Sequence, residues 1–282
     1  MILFTHRSGS IDLTGRVAVA GILNVTPDSF LAVGRCPDPE AAAAHARRMA
    51  AEGADILDIG AQSTRPGAVL LSAAEEWARL GPALAAVRTA TSLPLSVDTF
   101  YREVAEKALE NGADIINDIS GGLENGMISL ATARGAGLIL MRPGGANCRD
   151  GTNLPELTKV FFTAAIRRAE TAGLPLPSLV LDPGIGFGSS NEGDAAMIAQ
   201  LPWIIDGLQV LAGTAVPAIM VGASCKRFLA PDRPPADRLS ATVAAHAVAV
   251  WQGARLLRVH DVAAARQSAD LVMRFMKQRN TL

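Results

Sequence analysis

Aromatic side chains are scarce in this chain. They make up 4% of its 282 residues, whereas hydrophobic residues as a whole make up 49%. That imbalance suits a core of Ala, Val, Leu and Ile layered between helices and a sheet. The basic residues are neither clustered nor interleaved with aromatics, so nucleic-acid binding has no support. Charge of one sign is missing too. The formal net charge is −1, which leaves no global field for nucleic acid or an anionic membrane, so any anion binding must be local. Cysteine is limited to Cys36, Cys148 and Cys225, with no CxxC or Cys/His ligand spacing. An odd, scattered set supports neither a disulfide framework nor a zinc site. No apolar run reaches the roughly 18 residues of a membrane span. Met1-Ile2-Leu3-Phe4-Thr5-His6-Arg7 lacks the apolar stretch of a signal peptide, so a reduced cytoplasm is the expected compartment.

What is present is an alternation of short apolar runs with longer Ala-rich amphipathic stretches. The expected strands are Val17–Val25, Ala54–Gly60, Leu93–Thr99, Ala113–Ile119, Gly137–Arg142, Ser178–Pro183, Val216–Ala223 and Ala254–His260. Most are continuous Val/Ile/Leu runs, as strands buried on both faces require. The expected helices are 39–52, 74–91, 101–111, 126–136, 155–173, 193–211, 238–252 and 261–279. Gly53, Gly112, Gly135, Gly173 and Gly253 each stand where a helix ends shortly before a strand. Gly53-Ala54-Asp55-Ile56 and Gly112-Ala113-Asp114-Ile115 are near copies at the same joint. Eight βα units without a domain-sized linker predict a single-domain (β/α)8 TIM barrel over 1–282, with a doubly wound open sheet as the alternative. Residues 3–13 read as a short N-terminal β-hairpin able to plug the barrel floor.

In such barrels chemistry sits at the C-terminal ends of the strands, and the polar residues collect there. Asn24, Asp58, Asp98, Asn117-Asp118, Asp182, Ser224-Cys225-Lys226-Arg227 and Arg258-Val259-His260-Asp261 all fall at strand ends. Any one Asp could be a helix cap, and Ser72 and Asp261 read as caps. His45 and His246 lie on helical stretches and read as surface or packing residues. Asp98 or Asn117 within an apolar run is harder to explain without a ligand, because an unpaired buried polar group costs roughly 1–3 kcal/mol. Asp98, Asn117, Asp182 and Lys226 offer the acceptors, amide and cation that suit a flat heterocycle with a mixed edge. Asn24, Arg258 and His260, on strands that meet where the barrel closes, suit a pyrophosphate with a magnesium ion. Asp182-Pro183-Gly184-Ile185-Gly186-Phe187-Gly188 allows close backbone approach and sets Phe187 at the mouth.

The blocks GILNVTPDSF (21–30), GADILDIGAQSTRPGA (53–68), VDT (97–99), INDISGG (116–122), LDPGIGFG (181–188), VGASCKRF (221–228) and RVHDV (258–262) resemble the dihydropteroate synthases of folate biosynthesis, in family order and across nearly the whole barrel. The resemblance implies a homodimer that joins 6-hydroxymethyl-7,8-dihydropterin pyrophosphate to 4-aminobenzoate by an SN1-like route, with Mg2+. It implies pterin contacts from Asp98, Asn117, Asp182 and Lys226. Pyrophosphate contacts would come from Asn24, Thr64, Arg65, Arg258 and His260, with Asn24 on the metal. The aminobenzoate pocket would use Thr64, Pro66, Phe187 and Ser224. Asp98, Asp182, Lys226 and Arg65 would carry catalysis.

The chain departs from the family pattern at several places. Cys225 stands where arginine is usual, Ala61-Gln62 replaces Gly-Glu, Arg142 replaces histidine, and Ser189 replaces lysine. In the first loop Leu31-Ala32-Val33-Gly34 replaces Ser-Asp-Gly-Gly. These changes predict altered affinity for aminobenzoate or for the sulfonamides that mimic it. A pterin-binding paralogue without turnover and a pterin-dependent methyltransferase are the alternative readings. The second has little use for Arg258, His260 or the loop carrying Arg65.

Overall fold

The computed structural model describes residues 1–25, 36, 38–62, 69–122, 126–144, 153–212 and 216–279. Two short strands, β1 (Leu3–His6) and β2 (Gly9–Asp12), pair antiparallel as a hairpin. Eight parallel strands follow: β3 (Ala18–Asn24), β4 (Ile56–Gly60), β5 (Leu95–Asp98), β6 (Ile115–Asp118), β7 (Gly137–Met141), β8 (Leu179–Asp182), β9 (Ala218–Val221) and β10 (Leu256–Val259). They close into a barrel in sequence order, with β10 hydrogen-bonded to β3. The open-sheet alternative is therefore excluded.

The helices between them are α1 (Pro39–Ala51), α2 (Ala73–Ala90), α3 (Arg102–Glu110), α4 (Met127–Arg134), α5 (Leu154–Thr171), α6 (Asn191–Ala199), α7 (Leu201–Ala212) and α8 (Leu239–Trp251), with α9 (Val262–Arg279) after the last strand. Residues 193–211, expected as one helix, are two. Pro202 has no N–H to give the carbonyl four residues back, and Gln200 turns out of helical geometry at φ −100°, ψ 12°. The five helix-end glycines all have positive φ, as their placement predicted. Ser72 closes a capping box with Glu75, and Asp261 accepts the Ala264 N–H, so both are caps as expected. None of the helices, among the described residues, is long and apolar enough to cross a membrane.

Strand alternation divides the chain's apolar residues into two cores. Outward-facing residues such as Leu57, Val97 and Leu181 join the helices in one cluster. Inward-facing Ala18, Ala20, Ile56, Ile115, Ile139, Val180, Ala218 and Leu256 form a second cluster with Phe4 and Leu13 of the hairpin region, both fully buried. The hairpin thus plugs the floor. The repeated joint has the same use in both copies. Asp55 accepts the Val19 N–H at 2.9 Å and Asp114 accepts the Leu95 N–H at 3.0 Å, each tying a helix-to-strand turn to the preceding strand.

Candidate active site

The inward parity that fills the barrel's lower half with Ala, Ile and Val continues upward into polar residues. Two positions beyond Ile56 comes Asp58, two beyond Ile115 comes Asn117, two beyond Val180 comes Asp182 and two beyond Leu256 comes Arg258. The register aligns Asn24, Gly60, Asp98 and Asn117 across four adjacent strands. Gly60 leaves a gap in that row. A Cβ there would stand 3.6 Å from Asn24 Oδ1 and 3.8 Å from Asp98 Oδ2, so both side chains border the same space.

Arg258 crosses the barrel mouth. Its Nε donates to Asp58 Oδ2 at 2.6 Å and its Nη2 to Asp98 Oδ2 at 2.6 Å. Asn117 Nδ2 donates to the same Asp58 oxygen at 3.1 Å. Arg258 is thereby joined directly to Asp98 and, through Asp58, to Asn117, two of the residues expected to hold a ring. Burial works against its charge, but Asp58 and Asp98 outweigh burial and bind its proton more firmly than usual. Burial likewise raises the pKa of Asp98; Arg258 opposes the rise, while Asp58, Asp118 and Asp182 add to it. Asp58, which sequence reasoning did not assign to the site, is the buried hub of this network.

On the opposite side, Asp182 is buried and its Oδ1 accepts the Gly184 N–H at 2.8 Å. Burial raises its pKa, opposed by that N–H and by Lys226, Arg258 and Arg142. Gly184 has a φ of 70°, and a Cβ there would lie 2.3 Å from the Arg142 carbonyl oxygen, so only glycine fits this turn. The stem of Lys226 runs across Gly186, where a Cβ would lie 2.7 Å from Lys226 Cδ. Its ammonium sits 4.0 Å from the Phe187 ring centroid, within cation–π range. Asp194, also missed in the sequence, is buried and accepts the Gly186 N–H at 2.8 Å and the Ser189 hydroxyl, fixing this loop from behind.

Ser224 Oγ lies 2.9 Å from His260 Nδ1 and accepts the His260 backbone N–H at 3.2 Å. His260 and the expected aminobenzoate contact Ser224 are therefore direct neighbours. His246 is a packing residue as expected, and a buried one. Its Nε2 accepts the Ala223 N–H at 3.3 Å, and burial lowers its pKa to about 4, which keeps that acceptor free. His45 is buried against Cys36. Neither Cys36 nor Cys225 is joined in a disulfide, and Cys148 lies outside the described residues. Thr64, Arg65 and Pro66 lie outside them as well, as does the altered stretch Leu31–Gly34.

The other departures have local structural uses. Gln62 Oε1 accepts the Leu71 N–H at 2.5 Å, joining the two flanks of residues 63–68. Arg142 is buried and donates from Nε to the Pro183 carbonyl at 3.0 Å. Cys225 has a φ of 58°, its N–H donates to Thr242 Oγ1 at 3.1 Å, and its carbonyl accepts from Arg238 at 2.9 Å.

A mouth of this kind offers carboxylates and an amide to a polar ring, and cations at its edge to an anion. Comparison with known proteins agrees. Residues 20–260 match the family model of the pterin binding enzymes. The dihydropteroate synthase of Synechocystis sp. is 39% identical over 89% of this chain and 88% of its own length. A mitochondrial folate synthesis bifunctional protein of Pisum sativum is 38% identical over 97% of this chain, which spans only 56% of that protein. Among solved structures, a Yersinia pestis dihydropteroate synthase in a sulfonamide complex superposes with a TM-score of 0.87 at 34% identity, covering 98% of this chain and 99% of its own. A Thermus thermophilus dihydropteroate synthase in complex with 6HMPPP gives 0.80 at 40% identity, covering 95% and 98%. One from Xanthomonas albilineans with 4-aminobenzoic acid gives 0.83 at 37%, covering 96% and 95%. With the family model spanning most of the barrel and a full-length relative near 40% identity, this chain belongs to the dihydropteroate synthases, within the pterin-binding enzyme family.

Proposed function

We propose that the chain condenses 6-hydroxymethyl-7,8-dihydropterin pyrophosphate with 4-aminobenzoate, giving 7,8-dihydropteroate and pyrophosphate. The observation that carries this reading is the inward polar layer of Asp58, Asp98, Asn117, Asp182 and Arg258 over an otherwise apolar barrel. Asp98, Asn117, Asp182 and Lys226 hold the pterin edge. Asn24, Arg258 and His260, with Thr64 and Arg65, take the pyrophosphate. Phe187, Ser224, Thr64 and Pro66 wall the aminobenzoate.

The bond that breaks joins the pterin methylene to pyrophosphate, and its electron pair leaves with the pyrophosphate. The ring-stabilised cation left behind is favoured by the carboxylates of Asp98 and Asp182. The aniline nitrogen then forms the new bond and loses its proton. No protein nucleophile is needed.

Magnesium fits the donor set. No cluster of three or more His, Cys, Asp or Glu side chains among the described residues could hold a metal. Asn24 Oδ1, which borders the gap over Gly60, would be the protein ligand, with pyrophosphate oxygens and water completing the shell, as magnesium commonly accepts. Bound there, the ion would neutralise leaving-group charge.

A homodimer is part of the proposal. Leu239, Val248 and Trp251 on α8 and Leu271 and Phe275 on α9 are exposed on two helices that pack together, an apolar surface suited to a second copy. Trp251→Glu is expected to yield monomers in sedimentation velocity. An unchanged dimer would move the interface elsewhere, and a monomeric wild type would remove it.

The function is tested by mass spectrometry of the product. Dihydropteroate formation that needs both substrates is expected; pterin pyrophosphate binding without product would identify a binding protein in its place.

A further inference from the structure

Glu76 stands in the first turn of α2, four residues after its cap. Its neighbour Glu75 is exposed and closes the capping box. Glu76 instead falls in helical phase with Leu80, Ala83, Leu84 and Val87 and has no solvent exposure. Neither carboxyl oxygen has a hydrogen-bond partner of normal geometry among the described residues. The polar group that bears on it is the Thr99 hydroxyl, whose oxygen accepts the Tyr101 N–H at 3.1 Å and whose proton can point to the carboxyl. Thr99 directly follows Asp98, so Glu76 backs the strand end that faces the pocket.

Among the described residues no cation answers it. Among the elements packed on α2, Arg48 pairs with Glu52, Arg102 with Glu106, and Lys107 lies over Trp77. Glu40, Arg47, Arg79 and Glu103 are exposed, Arg134 holds Glu110, His45 contacts Cys36, and Asp58 takes Arg258. Arg88, at the far end of α2, pairs with Asp114. Asp98 is the charged group that acts on Glu76. A carboxylate sealed from water, with no cation and a negative neighbour, is far costlier than the neutral acid.

We infer that Glu76 is a positioning residue for the reaction: an uncharged carboxylic acid behind Asp98 that leaves the negative charge of this wall to Asp98 alone. The ligand proposed for the pocket is itself a pyrophosphate anion. A second charge behind Asp98 would weaken its capture and disturb the Asp98–Arg258 pair. Burial pushes the Glu76 pKa up to about 7, the Thr99 hydroxyl pulling it down and Asp98 pushing it further up. The charge therefore arrives as pH rises past neutral.

The inference rests on the proposed role of Asp98, and kcat/KM for pterin pyrophosphate, followed from about pH 6 to about pH 9, separates the two. Wild type is expected to lose roughly tenfold on the alkaline side. Glu76→Gln should match wild type near about pH 6 and lack that fall. Superimposable profiles, with Asp98→Asn inactive, would overturn the inference and leave the site reading standing. An Asp98→Asn variant as active as wild type would overturn both.

Thermal melting gives a readout independent of turnover. A carboxyl whose pKa rises from 4.5 to about 7 on folding weakens the native state progressively across that window. Glutamine does not titrate, so the Tm advantage of Glu76→Gln over wild type should grow across it and then level off. A constant difference would overturn the inference. Glu76→Met carries the same expectation should the amide disturb packing.

Discussion

Alanine in place of Asp58 is expected to cost the fold about 3–5 kcal/mol and turnover at least about a hundredfold. The reason lies in what shares its Oδ2. Arg258 Nε donates to that oxygen at 2.6 Å and Asn117 Nδ2 at 3.1 Å, in a side chain with about 1% of its surface exposed. Removing it leaves a guanidinium hydrogen-bonded to Asp98 in place of two carboxylates, and an amide without its acceptor. Breaking one side of a buried pair costs more than the pair contributes, because the remaining charge stays desolvated. Both pocket-lining neighbours, Arg258 and Asn117, would also lose their orientation. Asp58→Asn, which keeps an acceptor and drops the charge, should fall between wild type and alanine. Urea denaturation and pyrophosphate release measure the two effects. A loss of stability under about 1 kcal/mol would mean that Asp98 alone satisfies Arg258.

Asp58 also shows where the sequence was legible and where it was not. The barrel was readable because polar residues interrupt apolar runs mainly at strand ends, and because glycines mark five of the helix exits. Asn117, Asp98 and Asp182 stood out for the same reason. Asp58 was visible by simple alternation, two residues before Gly60 and four after Ala54, but it sits one pleat deeper than the strand end. Glu76 was legible in the helical phase of Leu80 and Leu84, and its pairing with Glu75 disguised it as surface. The break before Leu201 was announced by Pro202. The reach of Arg258 toward Asp58 and Asp98, in contrast, depends on the rotamer of a long side chain whose partners lie 200 and 160 residues away. Strand position gives its direction and leaves its partners open. Asp194 is similar: its value comes from the Gly186 N–H it accepts, a contact made by the shape of a loop.

The departures from the family pattern have local contacts. Gln62, Arg142, Cys225 and Ser189 each hold backbone or a neighbouring side chain. They brace the loops around the pocket, while the ring of strand-end residues is kept.

Asp182 offers the most direct test of that ring. Its Oδ1 is engaged by the Gly184 N–H, which leaves Oδ2 as the acceptor presented to a ligand. Asparagine preserves the shape and can turn an amide donor toward the ring N–H edge that the carboxylate would accept from. Calorimetric titration of 6-hydroxymethyl-7,8-dihydropterin pyrophosphate into wild type and Asp182→Asn is therefore the measurement to make. Saturable binding to wild type is expected, with a loss of roughly a hundredfold or more in the variant and its melting temperature little changed. Equal affinity in the two proteins would contradict it, and would mean that the polar mouth of this barrel does not recognise the pterin.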